Sequence, residues 1–389
     1  MTTRLFRGGT VVDADGARDA SVLVEDGQIV HVGDEPDGAP DTVHDLDGSY
    51  LAPGLVDAHV HLMMDAGPDP TTLVGESTAF LSFQATRNLR DAVEAGVTTV
   101  RDLGAADGIA LDARRAVADG TVLGPRVLAC GRNVVMTGGH GHWFGREADG
   151  RDEVRKATRE QLKAGADVVK CMATGGVLTP GAQTGAPELD SDELSALVEA
   201  ASAKAVPTAA HAHGTQGIEN AVAAGISSIE HGTYMDESAA AAMADAGTYW
   251  VPTASALHGI VENADEGGIP PEAVEKAKDA LDAYETAWEH ALAADVSIAM
   301  GTDAGTPYNA FADVPHELEL MVDYGMTPTE AFEAATVGSA DLLGIEAGRI
   351  EPEAPADLVV LPSDPRDDVS AWKQPELVCA HGALVEPSA

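Results

Sequence analysis

The 389-residue chain carries 23 basic and 64 acidic side chains, a formal net charge of −41, with 44% hydrophobic but only 4% aromatic residues. That length accommodates one large α/β domain and a small companion, and the charge argues against nucleic acid, whose phosphates would be repelled. No apolar run approaches a membrane span, and the widely spaced Cys130, Cys171 and Cys379 suggest no disulfide framework, so a soluble cytoplasmic protein is expected.

Acidic residues recur along the whole chain rather than forming a tail, as in "DADGARDASVLVEDG" and "PSDPRDDVS". Only seven of the 23 basic residues are lysine. An acidic solvated shell with scarce lysine is the surface expected of a protein from an extreme halophile.

Residues 1–52 read as short alternating strands split by Asp-Gly turns, in "TVVDADG", "SVLVEDGQIVHVGD" and "DTVHDLDGSYLAPG". The same texture returns in "GRIEPEAPADLVVLPSDP" and "ELVCAHGALVEP", so residues 1–52 and 347–389 are expected to form one small β-sandwich. Residues 53–346 alternate strand and helix. Candidate strands are Leu55–His61, Val97–Asp102, Arg126–Cys130, Ala166–Met172, Val206–His211, Ile226–His231, Thr248–Pro252 and Ser297–Asp303, with helical patterns such as "DSDELSALVEAASAKA" between them. Eight such units predict a (β/α)8 TIM-type barrel. No GxxxxGK[ST] and no strand-linked GxGxxG supports a nucleotide fold.

Several chemically capable residues fall at the C-terminal strand ends, where a barrel keeps its chemistry. "GLVDAHVH" ends with His59 and His61, "VPTAAHAHG" with His211 and His213, "GISSIEHG" with His231, and "VSIAMGTDAG" with Asp303. Residues i and i+2 of a strand point to the same side, so both imidazoles of an HxH can face the barrel axis. Lys170 sits inside the apolar run "ADVVKCM", where an unpaired amine would be costly to bury. Taken singly, an HxH can be a chance pair, Asp303 a helix N-cap, His231 a carbonyl partner and Lys170 a snorkelling side chain. Their conjunction at strands one, four, five, six and eight is hard to explain by chance.

That order, with "GLVDAHVHL", "GVTTVRDLG", "MTGGHGH", "GADVVKCMATGGV", "HAHG", "SSIEHGTY", "GTDAGTP" and "PADLVVL", resembles the metal-dependent amidohydrolase superfamily over nearly the whole chain. The likeness is to its imidazolonepropionase-related branch, and within it to the binuclear prolidase-like Xaa-dipeptidases. The resemblance implies two divalent ions, zinc being expected: His59, His61 and Asp303 on one, His211 and His231 on the other. It also implies that Lys170 is carboxylated by CO2 to a bridging carbamate, which would remove the cost of burying it. A metal-bridging hydroxide would attack the carbonyl, with Asp303 passing its proton to the leaving nitrogen. His140 and Tyr234 are candidates for steadying the oxyanion or holding substrate, their plain alternatives being a loop histidine and a packed tyrosine. His213 is expected behind the ligands.

The expected function is cleavage of a C–N amide bond in an Xaa-Pro or other dipeptide or an N-acyl amino acid, by a homo-oligomer with no membrane or nucleic-acid partner. Arg132 or Arg146 could receive a substrate carboxylate. Imidazolonepropionase or a deaminase is the alternative enzyme, but those relatives use one metal and lack the bridging lysine. An inactive structural homologue is the alternative outside catalysis, and every ligand position being filled argues against it. After "GTDAGTP" this chain has "YNAFADVPHELELM" where relatives often carry His-Gly-x-Asn, so the pocket there is expected to differ.

Overall fold

Asp26 and Gly27 both adopt positive φ, 46° and 84°, the backbone that a two-residue hairpin turn demands, and they join the antiparallel strands Ser21–Glu25 and Gln28–Gly33. The computed structural model describes residues 2–387. In it those two strands belong to a four-stranded sheet with Thr3–Arg7 and Thr42–Asp45. A six-stranded sheet lies against it, in the order Ala383–Val385, Leu377–Ala380, Leu358–Leu361, Tyr50–Pro53, Thr10–Asp13, Gly16–Asp19. Phe6, Val22, Val24, Ile29, Leu51, Leu358 and Val360 fill the space between. Alternation along each strand puts these side chains on the inner faces.

The middle of the chain is a parallel barrel wrapped by helices. Its strands run Leu55–Val60, Val97–Asp102, Arg126–Ala129, Val169–Met172, Thr208–Gly214, Ser228–Tyr234 and Tyr249–Val251, paired in parallel register. Between strands three and four the ladder continues through the Asp167 amide, which donates to Ala129 O at 2.9 Å. The helices begin and end where local chemistry dictates. Ser77 Oγ accepts the Phe80 N–H at the start of Thr78–Glu94, Asp190 and Glu193 form a reciprocal cap on Ser191–Ser202, and a left-handed Gly165 closes Gly150–Ala164. Among the described residues no helix is long and apolar enough to cross a membrane.

The eighth strand departs from expectation. Residues 297–303 form no continuous strand, only isolated bridges of Ile298 to Trp250 and Ala304 to Val60. Side chains take the backbone groups that a ladder would use. Asp57 accepts the Thr302 N–H at 3.1 Å and its hydroxyl at 2.6 Å, while Thr302 O accepts from Ser255 Oγ and Asn309 Nδ2. The barrel still closes, through Ala58 N to Met300 O and His61 N to Ala304 O, each 2.9 Å. Gly301 is required for that closure, because a Cβ there would lie 2.8 Å from His59 Cβ and 2.5 Å from Val251 Cγ1.

Candidate metal centre at the strand ends

Six imidazoles gather at the C-terminal end of the barrel, and in five of them Nδ1 is tied back to the scaffold. His59 Nδ1 is 2.9 Å from Glu230 Oε2, His61 Nδ1 2.9 Å from Gly104 O, His140 Nδ1 2.8 Å from Thr179 Oγ1, His213 Nδ1 2.7 Å from Thr233 Oγ1, and His231 Nδ1 2.7 Å from Thr253 Oγ1. Three of these bonds fix the tautomer. A carboxylate only accepts, so His59 Nδ1 donates to Glu230. A carbonyl only accepts, so His61 Nδ1 carries the proton. Thr253 Oγ1 already donates its hydrogen to Pro252 O at 2.6 Å, so His231 Nδ1 must donate to it. In all three rings Nε2 is left with a free lone pair, as in metal-ligating histidines held by an outer partner.

The ligand atoms sort into two groups. One atom each of His59, His61 and Asp303 lie within 4.8 Å of one another, and so do one atom each of His211, His213 and His231. Asp303 Oδ1 is 3.3 Å from both His59 Nε2 and His61 Nε2. It is buried without a hydrogen-bond partner, as is His211 Nε2. His213, expected behind the ligands, stands beside them, its ring stacked on His231 at 4.9 Å and edge-on to His211 at 4.6 Å. The i, i+2 rule that pairs His59 with His61 applies equally to His211 and His213, so the signal was there.

Burial sets the charge states. It holds His61 down to about 4 and His140 and His213 to about 3, and holds His59, His211 and His231 well below the ordinary imidazole range. All six are therefore neutral near pH 7, the form that binds metals. Burial also pushes the Asp303 carboxyl up to about 8, against the pull of Lys170. Lys170, 1% exposed at the middle of strand four, has its amine pKa lowered by burial, opposed by the carboxylates of Glu230 and Asp303. Backbone strain accompanies this. His231, Thr253 and Asp303 hold left-handed φ of 71°, 55° and 59°, costly for non-glycine residues and typical of functional sites.

Two charged residues in the barrel interior, Arg101 and Glu230, were not singled out in the sequence. Glu230 accepts from Arg101 Nη2 at 3.1 Å, from Ser228 Oγ at 2.6 Å and from His59 Nδ1, while Arg101 Nε donates to Ala58 O at 2.5 Å. The chain Arg101–Glu230–His59 orients the His59 ring. A charge inside an apolar strand was the signal, the one that marked Lys170.

The imidazoles, Lys170 and Asp303 line one cavity whose remaining wall is largely apolar, with Trp143, Phe144, Val177, Leu178, Leu257 and Ile260 besides Thr233, Thr253 and Thr306. His140 belongs to this wall, its ring 4.2 Å from that of His211. Gly176 makes room for it, since a Cβ there would lie 2.4 Å from the imidazole. Trp143 Nε1 is a buried donor without a partner among the described residues. Tyr234 is half-buried at the end of strand six, its ring near Gly185, and is not among the cavity-lining residues. Arg132 and Arg146 also lie off the cavity, paired with Asp107 at 2.6 Å and Glu160 at 2.8 Å.

Neutral imidazoles with outward-anchored Nδ1 atoms and a partnerless buried carboxylate oxygen fit divalent metal ions. Comparison with known proteins agrees. The ochratoxinase of Aspergillus niger is 30% identical over 413 aligned residues, covering 96% of this chain and 84% of that one. The imidazolonepropionase of Nocardia farcinica is 27% identical, covering 92% of each. Among solved structures, an Xaa-Pro dipeptidase with methionine in its active site superposes with a TM-score of 0.92 at 30% identity, covering 99% of this chain and 100% of that one. The profile of the amidohydrolase family matches residues 50–385. The chain thus belongs to the amidohydrolase family and is a hydrolase of carbon–nitrogen bonds.

Proposed function

We propose that this amidohydrolase is a binuclear enzyme cleaving the amide bond of an Xaa-Pro or other dipeptide, or of an N-acyl amino acid with an apolar acid part. The carrying observation is the convergence of His59, His61, His211, His213, His231 and Asp303 around the buried Lys170. On this reading His59, His61 and Asp303 would hold one ion, and His211 and His231, with His213 beside them, the other. Lys170 as a CO2-derived carbamate would supply an anionic oxygen ligand, which a neutral amine with a lowered pKa can form. When bound, the ions, zinc by donor chemistry, would lower the pKa of a water and polarise the scissile carbonyl.

The chain's own residues would do the rest. Asp303 Oδ1, buried without a hydrogen-bond partner, would be ionised beside bound ions and would take the proton of the attacking water and deliver it to the leaving nitrogen. His140 steadies the oxygen of the carbonyl as charge develops. The apolar wall of Val177, Leu178, Leu257 and Ile260 receives an uncharged side chain and excludes bulk water. Trp143 Nε1 can donate to the substrate carboxylate, a role for which Arg132 and Arg146 are already committed elsewhere. Tyr234 remains a candidate for substrate contact only if its ring turns inward. The same reading divides the chain into a sandwich of residues 1–52 and 347–389 and a hydrolase barrel of 53–346.

The test compares kcat/KM for an Xaa-Pro dipeptide, its C-terminal amide, an N-acyl amino acid and an imidazolone ring. Loss of at least tenfold on amidation supports recognition of the carboxylate, since its buried partner would be left unpaired. Turnover of the ring alone would overturn the dipeptidase reading.

A further inference from the structure

A second constellation of ligand side chains lies apart from the strand-end cluster. The helix Ala254–Glu262 leaves the end of strand seven, and the helix Val314–Asp323 follows the loop after Asp303. His258 and Glu262 are four residues apart on the first helix, so they share a face. His316 comes from the second. One ligand atom from each of the three lies within 4.8 Å of the other two.

Their surroundings resemble those of a ligand set. His258 Nδ1 is 2.9 Å from Glu262 Oε1, and its Nε2 is 3.0 Å from the Tyr324 hydroxyl. Tyr324 is itself fixed, stacked on Trp288 at 5.6 Å with ring planes 3° apart. Burial pushes its hydroxyl up to about 12, so it stays a neutral hydrogen-bond partner. Tyr324 can serve as the outer partner of Nε2, and Nδ1, which meets Glu262 directly in this structure, would exchange that bond for an ion shared with the carboxylate. An ordinary surface pair would account for His258 and Glu262 alone. It would not account for His316 arriving from another helix, its ring edge-on to His258 at 6.0 Å and 87°.

We propose that His258, Glu262 and His316 form a separate divalent-cation site, a His2Glu donor set suited to zinc or a similar borderline ion. Glu262 and His316 border a surface cavity of about 1210 Å³ that also carries Asp313 and Glu319, an acidic approach that would concentrate cations. The ion would tie together two helices that both serve the catalytic end. Leu257 and Ile260, on the first helix, line the catalytic cavity. Glu317, next to His316, accepts the Ala254 and Ser255 N–H groups at 2.8 and 2.7 Å. The site therefore acts as a staple behind the substrate wall, and its existence does not depend on the binuclear reading of the strand-end cluster.

The experiment measures zinc equivalents by equilibrium dialysis on metal-stripped full-length protein, comparing wild type with His316→Ala and Glu262→Lys. Both variants alter positions that are not fully buried, and unchanged melting in chelator confirms that they fold. Whatever number the catalytic cluster takes up, wild type is expected to bind one equivalent more than either variant. Zinc is also expected to raise the melting temperature of wild type further than that of the variants. Equal stoichiometry in wild type and either folded variant overturns the proposal.

Discussion

Replacing Glu230 by glutamine keeps its volume but removes one acceptor from a site that needs two. Glu230 Oε2 receives the His59 Nδ1 bond at 2.9 Å, and Oε1 receives Arg101 at 3.1 Å and Ser228 at 2.6 Å. A glutamine oxygen can face His59 or Arg101, and its amide group then opposes the other. With Arg101 1% and Glu230 0% exposed, water cannot make up the loss. Breaking a buried pair by removing one partner costs about 3–5 kcal/mol. A misoriented metal-binding imidazole loses about 10–100-fold in metal affinity. Urea unfolding of the stripped protein and a zinc titration read these separately. The double variant Arg101→Met/Glu230→Gln should recover part of both, because the amide can then serve His59 without facing a guanidinium. If Glu230→Gln costs under about 1 kcal/mol with unchanged affinity, the chain Arg101–Glu230–His59 does not orient the ligand.

Four further outcomes are expected. Lys170→Ala should abolish turnover on the best amide substrate, and added short carboxylic acids should restore part of it; full activity without rescue would remove the carbamate. Asp303→Asn should lower kcat by about a hundredfold or more with metal content retained, and near-normal turnover by the loaded variant would take Asp303 out of the proton path. Stability of the stripped protein should fall as the pH is lowered. Six histidines titrate well below their unfolded value of about 6.5 when folded, His61, His140 and His213 at about 4, 3 and 3 and His59, His211 and His231 well below the ordinary range. They outnumber the buried carboxyls of Asp57, Asp102, Asp303 and Glu317, pushed up to about 6, 7, 8 and 7, whose protonation favours the folded state. Stability is therefore lost as pH falls from 7 to 4.5; unchanged urea midpoints over that range would contradict this. With a net charge of −41, the carboxylate repulsion reaches roughly 30 Å at 0.01 M salt and about 3 Å at 1 M, so folding and activity should need high salt, and equal melting temperatures in dilute buffer and molar potassium chloride would refute the halophile reading.

What the sequence made legible was whatever repeats with strand geometry. His59 and His61, His211 and His213, His231 and Asp303 end apolar runs, and a parallel barrel turns run ends into one surface. What it hid depends on three-dimensional neighbours. The run "VSIAMGTDAG" reads as a strand, yet Asp57, Ser255 and Asn309 take the backbone groups around Thr302, and those partners come from other parts of the chain. Tyr234 lies three residues beyond His231 in sequence, but its ring packs by Gly185, a loop contact that no strand period reports. Trp143, Leu178 and Leu257 enter the cavity wall from three different loops and helices, where spacing carries no information.

The proposed binuclear centre requires the strand-end cluster to hold two ions bridged through Lys170. Anomalous diffraction recorded across the zinc edge, from crystals of the zinc-loaded protein, tests it most directly. Two bound ions would give one peak among His59, His61 and Asp303, a second at His211 and His231, and density for a carboxylated Lys170 reaching both. A single peak with a bare Lys170 amine would contradict it.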